Sequence, residues 1–439
     1  MNKEKSKETK KELSKDSIIV EKADFLYLIM GTNPFPNIIA AVTRVKQDGN
    51  IICICTNETE GMVYDRYKDL IKKKLGDSIE VEKIIVDKSA LMDINEKINS
   101  NLESRITREK KDISVELNYT GGTKLISSAA YNCVRNFQCA NGQNGKISIT
   151  LSYIDAEREY MYFEKSTGNG DFKNIKVPLK ELDGACSLTV SDIISAYNNF
   201  DMFNKDEIKT KPEMEKLCQE LGNLFVNCDE EQYDKAIDFF EEIYFDYFKK
   251  NEKKPFDIFM NDLLDRHKLP LPYKKYEDFG FQDIEKAKEY FKKSIWFEEF
   301  IITKFLELKK EGIISDVIAN VEKLKKPREL NNKKKPDFEV DIIAYKKYKI
   351  YAISVTTIDK PEEARDKLYE IRQRAKNLAG DEAGMCLITL CWDTKELINE
   401  YRNIWDDDSI KNTLIVGVND FPDLKNKLKN WILGVDGNV

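Results

Sequence analysis

Phe25-Leu26-Tyr27-Leu28-Ile29-Met30 is a short, nearly all-apolar run closed by Gly31 and Pro34. A strand with no polar face must be covered on both sides, as in a parallel sheet flanked by helices. Ile51-Ile52-Cys53-Ile54-Cys55 repeats the pattern and Ile84-Ile85-Val86 is a shorter version. Val63 to Leu75 has helical spacing, Ile113 to Asn118 alternates as a fourth strand, and Lys124 to Phe137 is a helix rich in small residues. Ile147 to Ile154 and Glu159 to Phe163 read as a closing hairpin. This βαβ order predicts an α/β fold with a mostly parallel, doubly wound sheet.

The remaining chain divides by pattern. Residues 1–17 are rich in lysine and glutamate without an apolar core, and are expected to be a disordered charged tail rather than a signal peptide. Residues 18–185 hold the βαβ region and 186–290 read as a helical connector, with the aromatic-rich Tyr233 to Lys250 as packing. Residues 291–439 carry a helix from Ser294 to about Lys310, strands Phe338 to Tyr345 and Lys349 to Thr357, a helix from Pro361 to Leu378 and a strand from Met385 to Leu390. No apolar run reaches the length of a membrane span, and the nine cysteines include no Cys-x-x-Cys pair. The chain is therefore expected to be cytoplasmic, with Cys53 and Cys55 as core residues. A net charge of -7 confines any nucleic-acid contact to a local basic patch. The single histidine, His267, reads as a solvated loop residue.

Two loops follow predicted strands at their carboxyl ends, where open α/β sheets bind ligands. One is Gly31-Thr32-Asn33-Pro34; the other is Thr120-Gly121-Gly122-Thr123-Lys124. Paired glycines let the backbone approach a ligand closely. The following helix offers N–H groups and a positive dipole end, and the threonines and Lys124 add donors and a cation. Together they suit a phosphate-containing ligand, although an isolated Gly-Gly also serves a plain tight turn. Neither common glycine-rich phosphate fingerprint is present.

The strand, the Asn118-Tyr119-Thr120-Gly121-Gly122-Thr123-Lys124 loop and the small-residue helix resemble the CARF domain of CRISPR-associated effectors. The Gly31-Thr32-Asn33-Pro34 loop resembles that family's first ligand loop. The resemblance implies a Rossmann-like sensing domain that forms a homodimer and binds cyclic oligoadenylate in a shared cleft. Cyclic tetra-adenylate has the two-fold symmetry of such a dimer. Gly31, Thr32, Asn33, Pro34, Thr120, Gly121, Gly122, Thr123 and Lys124 would line the cleft.

The third region resembles the PD-(D/E)XK nuclease-like, restriction-endonuclease-like domain of one effector subfamily. Glu298 stands on the opening helix, Glu339 and Asp341 share one strand face, and Ser354 and Thr356 share a face of the next strand. The resemblance implies that Glu298, Glu339 and Asp341 hold Mg2+ or Mn2+, whose hard character suits oxygen ligands. Thr356 occupies the position where the family carries lysine, and Lys360 or Lys367 are candidates for a migrated cation. Lys325, Lys326, Arg328, Lys333, Lys334 and Lys335 form a basic stretch that suits a DNA or RNA backbone, or a merely solubilising loop.

The implied activity is a nuclease of type III CRISPR antiviral defence, activated allosterically by the ring. The alternative is a sensor whose degenerate nuclease fold acts only as a regulator or binding module. A HEPN ribonuclease is disfavoured because no arginine stands at the required distance from His267. A dinucleotide oxidoreductase lacks its glycine fingerprint.

Overall fold

The computed structural model describes residues 20–106, 112–141, 147–156, 158–167, 171–182, 188–197, 200–202, 212–249, 255–271, 281, 284–323, 338–380, 382–405 and 410–435. The expected tail and the basic residues Lys325, Lys326, Arg328, Lys333, Lys334 and Lys335 lie outside them.

The first sheet contains β1 (Ala23–Ile29), β2 (Val45–Cys55), β3 (Glu80–Ile85), β4 (Ile113–Asn118), β5 (Ile147–Asp155), β6 (Tyr160–Ser166) and β7 (Phe172–Pro178). Their order is β3-β2-β1-β4-β5-β6-β7. The first five are parallel, and β6 and β7 close the edge antiparallel. The expected hairpin is therefore present and gains β7 as a third strand. Helices α1 (Phe35–Arg44) and α2 (Asp65–Leu75) cover one face, and α3 (Leu91–Ile106) and α4 (Lys124–Asn141) the other. Burial on both faces explains why β1 and β2 carry so few polar residues.

The connector, expected to be mainly helical, also contributes a short strand. After α5 (Val190–Ser195), β8 (Phe200–Met202) pairs with β9 (Asp316–Lys323) and joins the second sheet. Helices α6 (Pro212–Asn223), α7 (Glu230–Glu242) and α8 (Phe256–His267) follow β8. His267 is not a solvated loop residue. It ends α8, is buried, and its Nε2 lies 2.9 Å from Glu242 Oε1.

The second sheet has the order β13-β12-β11-β10-β9-β8. Besides β8 and β9 it holds β10 (Phe338–Lys346), β11 (Lys349–Thr356), β12 (Gly384–Thr389) and β13 (Thr413–Val416). Helix α9 (Ile295–Lys310) lies on one face and α10 (Pro361–Ala379) on the other. The α9 core is strongly aromatic: Phe240 stacks on Trp296 with centroids 4.4 Å apart. β9 escaped the sequence reading because Asn320 sits at φ 53° and interrupts its alternation.

The two sheets share one core. Ile38 and Val42 of α1, Tyr67 and Ile71 of α2, Ile343 and Tyr345 of β10, and Leu368 and Ile371 of α10 belong to a single buried cluster. The Phe35 and Tyr345 rings meet edge to face at 6.1 Å. No helix among the described residues is long and apolar enough to cross a membrane.

Candidate functional site

The chain leaves β1 towards β2 on one side and β4 towards β5 on the other, so strand order reverses between the adjacent β1 and β4. Both glycine loops stand at that switch point, where a crevice opens in such sheets. They touch: a Cβ added at Gly31 would lie 3.3 Å from the Gly122 nitrogen. A Cβ at Gly121 would strike the Ile29 carbonyl, and one at Gly122, whose φ is 79°, would strike the Ile29 side chain. The glycine pair is thus required by a backbone tucked against the end of β1.

The loop side chains divide their work. Asn33 Oδ1 accepts from Phe35 N at 2.9 Å and caps the start of α1. Thr120 Oγ1 accepts from Ile154 N at 2.8 Å, and Ser127 Oγ donates to Gly121 O at 2.8 Å. Thr32, Gly122, Thr123 and Lys124 are exposed, whereas Pro34 is buried as the residue that starts α1. Lys124 forms no ion pair among the described residues. Beside the loops, Tyr119 and Tyr153 rings lie 5.6 Å apart, and burial pushes the Tyr119 hydroxyl up to about 12. This aromatic shelf was not singled out in the sequence; a tyrosine just after β4 and another in register on β5 are its signal.

Beneath the loops lies a buried ion pair. Arg44 Nε is 3.1 and 3.0 Å from the two Glu116 oxygens and Nη2 is 2.9 Å from one, with side chains 2% and 1% exposed. Ser152 Oγ donates to Glu116 at 2.7 Å, Asn118 Nδ2 donates to Ser152 Oγ at 3.1 Å, and Asn118 Oδ1 accepts from Thr120 N at 3.3 Å. The Thr120–Lys124 loop is therefore wired to the core charge pair.

In the second sheet, Ser294 Oγ meets Thr357 Oγ1 at 2.9 Å and pins the start of α9 to the end of β11. Glu298, one turn along α9, then overlooks the hairpin. Asp341 Oδ2 accepts from Ser354 Oγ at 3.1 Å and from Val355 N at 2.6 Å. Burial first, then the charges of Asp341 and Glu339, raise the Glu298 carboxyl from 4.5 to about 8. Burial also raises Asp341, against the pull of these two hydrogen bonds and of Arg374 and Lys367. Glu299, the neighbour of Glu298, is likewise raised by burial and accepts from Tyr290 at 2.7 Å. Among the described residues, no group of three or more His, Cys, Asp or Glu is placed so that it could hold a metal ion.

Thr356 Oγ1 accepts from Ile358 N at 3.4 Å and so supports the turn after β11. The cations come from α10. Lys367, Glu370 and Arg374 share a helix face, and Glu370 pairs with Lys367 at 2.9 Å and with Arg374. Arg374 is 12% exposed, and its buried Nε has no hydrogen-bond partner among the described residues. Sequence reasoning missed Arg374; its spacing of seven from Lys367 was the available signal. Lys360 does not join this group. It precedes α10 and lines a cavity of about 470 Å3 with Phe240, Tyr244, Phe291, Asp359 and Glu363.

Glu298 makes a pH prediction. A carboxyl whose folded pKa is raised stabilises the fold in its protonated form; that contribution is complete below about pH 4.5 and is lost as pH rises through about 8. The metal-free chain is expected to lose thermal stability across that window, and Glu298→Gln to flatten the loss. Calorimetric melting of both proteins at several pH values checks this; an identical pH dependence removes Glu298 from the acidic cluster.

No family model matches the chain, and no curated protein matches it in sequence. Solved structures match in fold. Protein VC1899 from Vibrio cholerae superposes with a TM-score of 0.64 at 15% identity, covering 94% of this chain and 100% of that one. Can2 from Sulfobacillus thermosulfidooxidans, solved in complex with cyclic tetra-adenylate, superposes with a TM-score of 0.56 at 17% identity, covering 93% of this chain and 97% of that one. Over nearly its whole length the chain therefore shares the fold of these two proteins.

Proposed function

We propose that the chain senses cyclic oligoadenylate with its first sheet and thereby controls a metal-dependent nuclease in its second. One observation carries this reading. The chain shares its fold with a protein solved around cyclic tetra-adenylate, and its two glycine loops meet at the switch point of the sheet. Phosphates of the ring would meet Lys124 and the N–H groups opening α4. Thr32, Asn33, Thr120, Gly121, Gly122 and Thr123 would line the cleft, and the Tyr119–Tyr153 shelf offers adenine a stacking surface.

A second copy of the chain would complete the cleft. Leu91 and Met92 at the start of α3 and Leu125 at the start of α4 are 50%, 85% and 39% exposed. An apolar edge beside the loops suits an isologous contact, and cyclic tetra-adenylate fits its symmetry.

Calorimetry with cyclic tetra- and hexa-adenylate tests the sensor. The smaller ring is expected to bind, and Lys124→Ala to weaken it about tenfold or more, as loss of a charge-assisted hydrogen bond implies. If neither ring binds, the reading fails.

Glu298, raised by burial and by the charges of Asp341 and Glu339, is a donor that a hard divalent ion relieves. Mg2+ or Mn2+ would be held by Glu298, Glu339 and Asp341, and when bound it supplies activated water and charge stabilisation at a scissile phosphate. Ser354 and Val355 N orient Asp341, while Lys367 and Arg374 bring positive charge to the nucleic-acid backbone. One observation favours the rival, non-catalytic reading: Thr356 stands where a lysine is expected and its hydroxyl serves a turn. Incubation of plasmid, single-stranded DNA and RNA with Mg2+ or Mn2+ and ring separates the two. Ring binding without cleavage of any substrate leaves the chain as a sensor and binding module.

A further inference from the structure

We infer that Tyr197 is the residue through which the ring-binding loop reports to the nuclease-like sheet, with α10 as the lever it acts on. This inference rests on the assignment of the Gly31–Pro34 loop to the ring cleft. Tyr197 lies just after α5, in the connector, and is buried. Its hydroxyl lies 2.7 Å from Asn33 Oδ1, in the ligand loop, and also bonds the carbonyl of Leu378, in the last turn of α10.

The hydroxyl has one proton and faces two acceptors. The Asn33 amide cannot turn to offer its NH2 instead, because its Oδ1 also takes the Phe35 N–H that opens α1. The Leu378 carbonyl is one of the orphan acceptors at a helix end, and needs a donor. Any ligand that engages Asn33 therefore shifts the proton's allotment between the loop and the helix. The approach is close throughout: a Cβ added at Gly380 would lie 3.5 Å from Asn33 Nδ2.

The rest of this short segment is clamped to both sheets, so Tyr197 has a fixed fulcrum. Its carbonyl accepts from Arg66 of α2 at 2.9 Å, and Asp192 pairs with Lys73 and Lys74 at 3.3 and 2.5 Å. Val190 N donates to Asp316 of β9 at 2.9 Å. Helix α10 then spans roughly 28 Å at 1.5 Å per residue. It meets the sensor loop at its C-terminal end and carries Lys367 and Arg374, the cations that act on Asp341, along its length. A second contact runs parallel: Phe35, directly after the loop, touches Tyr345 on β10, the strand of Asp341.

The test uses the full-length protein, cyclic tetra-adenylate, and hydrogen exchange read by mass spectrometry beside calorimetry. In wild type, the ring is expected to slow exchange in both loops and to change it in residues 372–383. Tyr197→Phe keeps the ring and loses only the hydroxyl. It is expected to bind cyclic tetra-adenylate within about threefold of wild type but to lose the change in 372–383, and to lose at least tenfold in ring-stimulated cleavage. Tyr348→Phe is the control. It removes another hydroxyl across the same interface, 3.4 Å from Leu182 O and away from the loop, and is expected to transmit normally. Normal transmission by a folded Tyr197→Phe overturns the inference while leaving ring sensing intact. Equal loss in Tyr348→Phe also overturns it, because the effect is then general loosening. Absence of ring binding to wild type is a different result: it removes the sensor assignment on which the inference stands.

Discussion

Asp341→Asn is expected to lower ring-stimulated, Mn2+-dependent cleavage by about a thousandfold while leaving ring binding unchanged. Asp341 is half-buried and fixed by Ser354 Oγ and Val355 N, and these two hydrogen bonds, with Arg374 and Lys367, counter the upward push of burial on its carboxyl. A metal-held carboxylate contributes several kcal/mol of charge stabilisation, and about 4 kcal/mol is a thousandfold in rate. Asparagine keeps the shape and one acceptor oxygen, so the fold should survive. Gel assays at matched ring occupancy read the rate, and calorimetry reads the binding. Cleavage within tenfold of wild type would displace Asp341 from the chemistry.

Glu116→Ala is expected to produce the largest loss of stability of any single change in the first sheet. It strands the Arg44 guanidinium in a core where it is 2% exposed. Breaking one side of a buried pair costs about 3–5 kcal/mol. Arg44 keeps its bonds to Val20 O and Glu21 O and its place over the Phe163 ring, so it has no easy route to solvent. The melting transition should fall by roughly 3–5 °C. Arg44→Met with Glu116→Leu should recover most of that, since replacing both charges removes the desolvation cost. Ring affinity should not recover in the double variant, because Ser152, which positions the Asn118 amide that holds the Thr120 N–H, loses its acceptor. A single variant that melts like wild type would show that Arg44 finds water after all.

What was legible in the sequence was what the backbone itself demands. Gly121 and Gly122 had to be glycine because the chain passes against Ile29, and such a demand is written locally. Apolar runs such as Phe25 to Met30 announced strands buried on both faces. The expected pairing of Glu298 with Asp341 rests on the resemblance of this region to a nuclease-like domain and not on any local demand of the backbone. Features decided by packing across the sequence were not legible. Arg374 matters only because α10 lies on the face of β10 and β11 that Asp341 shares. Tyr197 sits in a connector without visible chemistry, and its meaning comes from Asn33 and Leu378, each more than 160 residues away. His267 looked like a loop residue because prolines follow it, yet α8 runs through it and stops at Lys268 in the left-handed conformation.

The single core that joins α1 and α2 to β10 and α10 bears on how such a chain can be recombined. A sensor tethered by a linker can be moved to another output by cutting the linker. Here the cut would bare Phe35, Tyr67, Ile343 and Tyr345 to water, and each piece would need a new partner for its exposed half. Exchange of outputs in this architecture must therefore carry the α1–α2 surface along with the effector, or redesign both sides of the seam together.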